Sequence, residues 1–417
     1  MTKVYLFFYN LLFTFLLAPA ALFLFIVRRD FFCHFKERLG FYNFLKNKTQ
    51  EPVIWVHCSS LGEVKAVEST IKGLPEGYSV FLSVFTKTAR DWAKTELLEK
   101  GIVKHLAFAP LDLYPLLVRV VKKLNIKMLI LVETEIWPSM IYACASRGAK
   151  IVTVNGRLSK NSFKYYNATK YFWRKFVSLI NIVLARTPQD AERFTEITSH
   201  AKSVRVTGNI KYDLEIPSQK STRDELGFKN SDIIFVCGST REGEEVFIKN
   251  AYIGISKKYP QIKFVVAPRH IKRAKKVCGI FKAAGINVSL YSRGISPDIT
   301  VVDVFGKLQA LYNIADICFV GGSLVNKGGQ NPIEPAAYAK PVLFGDDMCN
   351  FALEAESLLE HGGGFLVENA SKMTQVLGEL ISNPAQRLSA GQQALQAVNA
   401  QRGATAQNLQ IIKEFLN

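Results

Sequence analysis

Short apolar runs recur along the chain, separated by stretches in which apolar positions return every three or four residues. Val53–Cys58 reads VIWVHC, and Tyr78–Phe85, Met128–Val132, Ile151–Val154, Ile180–Leu184 and Val204–Thr207 repeat the pattern. Such runs, bounded by polar segments, predict buried strands. Between them, Ala89–Leu98 and Leu113–Leu124 carry the spacing of amphipathic helices. A second series follows in Ile233–Cys237, Lys263–Ala267, Ile299–Val304, Ile317–Val320, Pro341–Phe344 and Phe365–Val367. Strand–helix alternation predicts parallel sheets covered on both faces. Two such series joined through Gly208–Lys220 predict an α/β chain of two Rossmann-like domains facing a cleft. Ligands are then expected at the carboxyl ends of the strands. The expected division is an N-terminal segment 1–30, a first domain 31–207 and a second domain 208–417, with the helical tail Ala385–Asn417 in the second.

The N-terminal segment breaks this pattern. Val4–Val27 is uncharged and exceeds the roughly 20 residues needed to cross a bilayer. Arg28 and Arg29 follow it in place of a small-residue cleavage site. With Lys36, Arg38, Lys46 and Lys48 they outweigh the lone Lys3, which places the rest of the chain in the cytoplasm. The expectation is a single membrane anchor, kinked at Pro19; the alternative is a helix dipping into the membrane from one side.

Composition narrows the choice of partner. Hydrophobic residues make up 48% of the chain, which excludes general disorder, and the formal charge of +18 calls for a negative partner or surface. Nucleic acid, anionic lipid and an anionic small molecule all satisfy that demand, and no nucleic-acid motif is present. The seven cysteines show no C-x-x-C or metal-ligand spacing, and several lie inside strand-like runs, as reduced core residues do. The six histidines form no H-x-x-x-H, so no metal site is expected.

Three stretches carry candidate chemistry. Asp316–Gly345 reads as strand, glycine-rich loop, helix and strand, with Asn331 at the N-cap, Pro332 at the first helical position and Glu334 at the third. Plain capping explains that pattern. Gly321, Gly322, Gly328 and Gly329 also leave a helix N-terminus open to an anion, and Glu334 offers an acceptor to ribose hydroxyls. The strand ends Gly238-Ser239-Thr240, Pro268-Arg269-His270 and Phe305-Gly306-Lys307 converge on the same edge if the doubly wound topology holds, with Arg269 suited to pairing an anion.

In the first half, His57-Cys58-Ser59-Ser60-Leu61-Gly62-Glu63 and Glu133-Thr134-Glu135 follow strands. A carboxylate there serves as a general base, or, for Glu63, merely as a charge at a helix N-terminus. Glu133 and Glu135 share one face if extended, and one of them is then structural. His57 and Cys58 point oppositely on a strand, which argues against a Cys–His nucleophile. The third stretch, Phe163–Phe176, interleaves aromatics with Lys164, Lys170, Arg174 and Lys175. It reads as a helix on an anionic membrane, as an ordinary helix with an aromatic core face, or as a surface for stacking single-stranded nucleic acid.

Taken together, SSLGE (59–63), VETEIWPS (132–139), VNGRLS (154–159), GNIKYD (208–213), APRH (267–270) and VGGSLVNKGGQNPIEP (320–335) resemble the 3-deoxy-D-manno-oct-2-ulosonic acid (Kdo) transferases over nearly the whole chain. The resemblance implies an inverting glycosyltransferase of GT-B fold. It would move Kdo from CMP-Kdo to the phosphorylated lipid A precursor lipid IVA, at the inner membrane, in lipopolysaccharide core biosynthesis, without metal or cofactor. It places the catalytic base on Glu63 and a second carboxylate in the Glu133/Glu135 pair, with Glu133 favoured. CMP contacts fall on Pro268, Arg269, Phe305, Gly306, Lys307, Asn331, Pro332, Ile333 and Glu334. The chain departs from the family pattern at Gln330, Lys307 and Arg241, where His, an acidic residue and His are usual. The alternatives are another GT-B glycosyltransferase, a sugar-nucleotide epimerase, or a membrane-tethered nucleotide- or lipid-binding protein without turnover.

Overall fold

The computed structural model describes residues 2–27, 34–45, 50–198, 203–216 and 221–416, with side chains of the first helix given only as far as Leu16. The chain forms two compact units, Met1–Asp213 with Arg402–Asn417, and Leu214–Gln401.

The first unit holds seven parallel strands: β1 (Pro52–Cys58), β2 (Ser79–Val84), β3 (His105–Phe108), β4 (Asn125–Val132), β5 (Lys150–Gly156), β6 (Ile182–Ala185) and β7 (Val204–Val206). They lie in the order β3-β2-β1-β4-β5-β6-β7, so the direction of winding reverses between β1 and β4. Alternation along β1 sends Val53 and Trp55 to one buried face and Ile54, Val56 and Cys58 to the other. Helices cover both faces, and this is why the strands read as unbroken apolar runs.

The second unit repeats the plan with β8 (Ile233–Thr240), β9 (Ile262–Pro268), β10 (Val288–Leu290), β11 (Ile299–Val301), β12 (Ile317–Val320), β13 (Val342–Phe344) and β14 (Gly364–Leu366). Their order is β10-β11-β9-β8-β12-β13-β14, with the reversal between β8 and β12. Gly238 in β8 is required: a Cβ there would collide with the buried Tyr312 ring and hydroxyl.

Three sequence expectations meet a different structure. The edge strands β3 and β10 were not predicted, because each is short and only partly buried and so lacks a clear apolar run. The tail does not stay with the second unit. Its last helix, Ala404–Leu416, returns to the first, where Ala404, Ile411 and Ile412 join the apolar cluster on the sheet face of Ile54 and Val56. Asp213, where the first unit's main segment ends, fixes this return. Its carboxylate accepts the Gly403 and Thr405 backbone N–H groups at 2.8 and 2.6 Å, satisfying donors at the helix N-terminus.

The third concerns the expected anchor. Thr2–Val27 is one helix. Among the described residues, no helix is long and apolar enough to cross a membrane. Arg28, Arg29, Lys46 and Lys48, on which the flanking-charge argument rests, lie outside the described residues, as do Cys33 and the Pro19 side chain. The described part is docked on the first unit. Leu6 is buried and Thr2, Tyr9, Asn10 and Phe13 half-buried, a stripe at helical spacing. Tyr9 donates its hydroxyl to Asp112 at 3.0 Å. Asn10 accepts from Tyr114 N at 2.6 Å and donates to Ser139 Oγ at 3.1 Å. Tyr5 and Tyr9 also pack against the Phe172 ring. Phe172 belongs to the aromatic–basic stretch, which forms two helices, Lys160–Ala168 and Lys170–Val177, rather than one.

Candidate active site

Glu63 is the third residue of the helix Leu61–Lys72, which starts just beyond the carboxyl end of β1. Ser60 caps it: Ser60 Oγ accepts from Glu63 N at 3.3 Å and donates to Glu63 Oε1 at 2.7 Å, while Ser59 N donates to Oε2 at 2.7 Å. This resembles a capping box, with Glu63 reaching one residue before the cap, so the plain reading of Glu63 as a charge at a helix N-terminus is realised. The side chain nonetheless retains acceptor capacity, since each carboxylate oxygen has a second lone pair. Only 8% of the residue is exposed. Burial first, then the charges of Glu135 and Glu133, push its pKa up to about 7, against the opposing bonds from Ser60 and Ser59. A carboxyl that titrates near neutrality is matched to proton transfer.

Glu133 and Glu135 follow β4, on the other side of the point where the sheet's order reverses, which is where open α/β sheets bind ligands. They do not share an extended face as expected. Glu133 has φ of 63°, in the left-handed region, so the chain turns there and sends the two side chains to different partners. Glu133 Oε1 pairs with Lys211 Nζ at 2.6 Å. Glu135 Oε2 accepts Trp137 Nε1 at 2.6 Å and faces His57 Nε2 at 3.4 Å. Burial pulls the Glu135 carboxyl up, but the neighbouring His57 and Ser59 side chains and the Trp137 N–H outweigh it and hold it below the usual carboxylate range. His57 itself is buried in β1, with Nδ1 2.9 Å from Ser83 Oγ. No spacing in the sequence points to His57 as a partner of Glu135, while Lys211 stands inside GNIKYD, one of the stretches that carry the family resemblance.

In the second unit, Arg241 and the glycine-rich loop flank the reversal between β8 and β12. The anion was expected at the N-terminus of the helix after the loop; the amides of the loop itself are met by the protein's own carboxylates. Buried Glu244 accepts from Arg241 N and Gly322 N at 2.7 Å, and from Ser323 N and Leu324 N at 3.1 Å. Asp347 Oδ2 accepts from Gly328 N at 2.6 Å. The helix after the loop is short, Ile333–Ala336, and Pro332 rather than Asn331 is its cap residue, although Asn331 Oδ1 still accepts from Ile333 N at 3.1 Å.

The unneutralised charge lies beside the loop. Arg241 places a guanidinium nitrogen 3.1 Å from His270 Nε2, and its stem lies close to Gly322, next to Gln330. Two of the family departures thus meet at one place. Burial, then neighbouring Arg269, lowers the Arg241 pKa, and burial with Arg241, Arg269 and Arg273 lowers that of His270. Arg273 is paired with Glu245 at 3.0 Å. Pro268 is buried at the end of β9 while Arg269 beyond it is exposed. Phe305, Gly306 and Lys307 are exposed beyond β11, the Phe305 ring to 62%. Ile333 and Pro332 are buried, and Asn331 and Glu334 half-buried. The order β11-β9-β8-β12 puts all these strand ends along one edge of the second sheet.

Known proteins share this organisation. A family model described as 3-Deoxy-D-manno-octulosonic-acid transferase (kdotransferase) matches residues 33–214. A 3-deoxy-D-manno-octulosonic acid transferase of Haemophilus influenzae is 30% identical over 399 residues, which are 91% of this chain and 91% of that protein. A bifunctional glycosyltransferase/methyltransferase of Fusobacterium nucleatum is 32% identical over 348 residues, 80% of this chain, and the chain spans 53% of its length. Among solved structures, a UDP-GlcNAc 2-epimerase from Neisseria meningitidis matches with a TM-score of 0.60 at 12% identity, covering 88% of this chain and 99% of that one. That likeness concerns the fold alone, which is of the GT-B kind. By its identity to a relative matched along nearly its full length, the chain belongs to the 3-deoxy-D-manno-octulosonic acid transferase family.

Proposed function

We propose that this family member is an inverting glycosyltransferase that moves Kdo from CMP-Kdo to a hydroxyl of the phosphorylated lipid A precursor, lipid IVA, with Glu63 as general base. The observation that carries the reading is the Glu63 carboxyl, withdrawn from water beside two further carboxylates and titrating near neutrality. The acceptor hydroxyl loses a proton as its oxygen bonds to the anomeric carbon. Glu63 takes that proton, and the carbon–phosphate oxygen bond breaks to release CMP.

The second unit supplies the donor contacts. Arg269, assisted by Arg241 and Lys307, offers positive charge to the phosphate and the Kdo carboxylate. The exposed Phe305 ring is a surface on which a cytosine can stack. Asn331 and Glu334 remain the candidates for ribose and base edges, with Pro268, Gly306, Pro332 and Ile333 shaping the backbone around them.

The acceptor is a lipid, and the docked N-terminal helix supports a seat on the cytoplasmic face of the inner membrane. Its outer face carries exposed Val4, Phe7, Phe8, Leu11, Leu12, Phe15 and Leu16, and exposed Tyr165 and Tyr171 lie on the lysine-bearing helices. An apolar face rimmed by lysines suits an anionic bilayer. Replacing Phe7, Phe8 and Leu11 together with Ser is expected to lower flotation of the full chain with anionic liposomes; unchanged flotation contradicts this seat.

The reaction is tested by incubating the full chain with CMP-Kdo and lipid IVA and separating the products. Acceptor-dependent CMP release with a Kdo-bearing lipid supports the reading. Failure to form that lipid under any acceptor concentration overturns it.

A further inference from the structure

A connected set of polar contacts runs from the core of the first sheet to Glu63. Trp55 Nε1, which can only donate, lies 2.7 Å from Ser83 Oγ. The Ser83 hydroxyl proton is then available to His57 Nδ1 at 2.9 Å, which leaves the proton of the neutral ring on Nε2. Nε2 faces Glu135 Oε2 at 3.4 Å, and Trp137 Nε1 donates to the same oxygen at 2.6 Å. Ser59 lies between the two carboxylates: its side chain sits beside Glu135 and helps hold that carboxyl down, and its backbone N–H donates to Glu63 Oε2 at 2.7 Å. All of these residues sit at β1, β2 or β4 or just beyond their carboxyl ends.

The two carboxylates near Glu63 differ in one respect. Glu133 has an ammonium partner in Lys211 at 2.6 Å, so its charge is largely compensated. Beside Glu135 lie an indole N–H, a serine and the His57 imidazole, which favour its ionised form, and among the described residues no lysine or arginine pairs with it. We infer that His57 and Glu135 are positioning residues for Glu63, joined to it through Ser59, and that the uncompensated negative charge of Glu135 strengthens Glu63 as a base. This rests on the assignment of Glu63 as the base. The other titratable groups facing the cluster are Glu133 with Lys211, Asp112, whose carboxyl burial pushes up to about 6 and which is within reach of the His57 ring, Cys58 in β1 and Tyr166; burial pushes Cys58 and Tyr166 up, so both stay neutral near pH 7. A like charge nearby raises the pH at which a carboxylic acid ionises. Removing it therefore moves the acid limb of the rate profile to lower pH and weakens the base.

The test compares the pH profile of Kdo transfer by the full chain in Glu135→Gln, His57→Gln, His57→Leu and Glu63→Gln, with melting temperatures taken alongside. Glu135→Gln is expected to move the acid limb down by about half a pH unit or more. His57→Leu, which loses the polar ring facing Glu135, is expected to lower kcat about tenfold or more with the donor KM held, since misplacement near a reacting group is costly. His57→Gln keeps an N–H donor and is expected to recover most of that loss. If Glu135→Gln folds and its acid limb stays at the wild-type pH while Glu63→Gln abolishes transfer, the inference is overturned and the base assignment stands. If Glu135→Gln does not fold, equal loss in His57→Leu and His57→Gln overturns it. Wild-type turnover in Glu63→Gln removes the base assignment and the inference with it.

Discussion

At the reversal point of the first sheet stand carboxylates withdrawn from water; at that of the second stand guanidinium groups with an exposed arginine beside them. Glu63, Glu133 and Glu135 gather at the ends of β1 and β4, with Glu63 only 8% exposed. Arg241, Arg269 and His270 gather at the ends of β8 and β9, and one carboxylate of that unit, Glu244, is buried beneath the glycine loop. Under the proposed function, the same topology is fitted to two tasks. A proton acceptor must have its pKa moved toward neutrality, and burial among like charges does that. A site for a permanent anion needs accessible cations, and burying them would cost more than it returned.

The comparison breaks most sharply at Glu63. Glu63→Gln is expected to lower kcat by about 10²- to 10⁴-fold, with donor KM nearly unchanged and the fold retained. A merely capping Glu63 gives the reverse, a lower melting temperature with turnover close to normal.

Glu244 should behave in the opposite way. Glu244→Ala leaves four backbone N–H groups without their acceptor, at a cost of roughly 2–5 kcal/mol in stability. Thermal unfolding measures that loss, and an unchanged melting temperature would show that the loop does not depend on this carboxylate.

Arg269→Ala should act on binding alone. Loss of a charge-assisted contact, worth about 1.5–3 kcal/mol, raises the donor KM by about tenfold or more, with little effect on stability. An unchanged KM moves the donor away from this arginine.

What the sequence could and could not reveal follows the same division. Strands buried on both faces, such as β1, β4, β8 and β12, were legible because burial on two sides demands unbroken apolar runs. The place of Glu63 in the first turn of a helix was legible through the serine-capped turn before it. The turn at Glu133 was not, because nothing in VETEIW announces a left-handed glutamate. Glu244 was hidden for another reason: it lies 78 residues from the Gly322 amide it satisfies, and spacing carries no record of a partner so distant. The amides of the glycine loop are thus met by the chain itself, whereas the sequence pointed to an anion at the N-terminus of the helix that follows. The return of Ala404–Leu416 to the first unit escaped for the same reason, since Asp213 and Thr405 meet only in the fold.

The most direct test of the contrast between the two units is the pH dependence of kcat and donor KM on the unaltered chain, measured with CMP-Kdo between about pH 5.5 and 8.5. Glu63 must be unprotonated to accept the hydroxyl proton, so kcat should fall as pH drops through about 7 and approach tenfold loss per unit below it. The donor is a phosphodiester and the arginines keep their charge throughout, so its KM should stay level, or improve slightly as His270 gains a proton. A kcat that stays level to pH 5.5, or a kcat and donor affinity that fall together, would contradict the account.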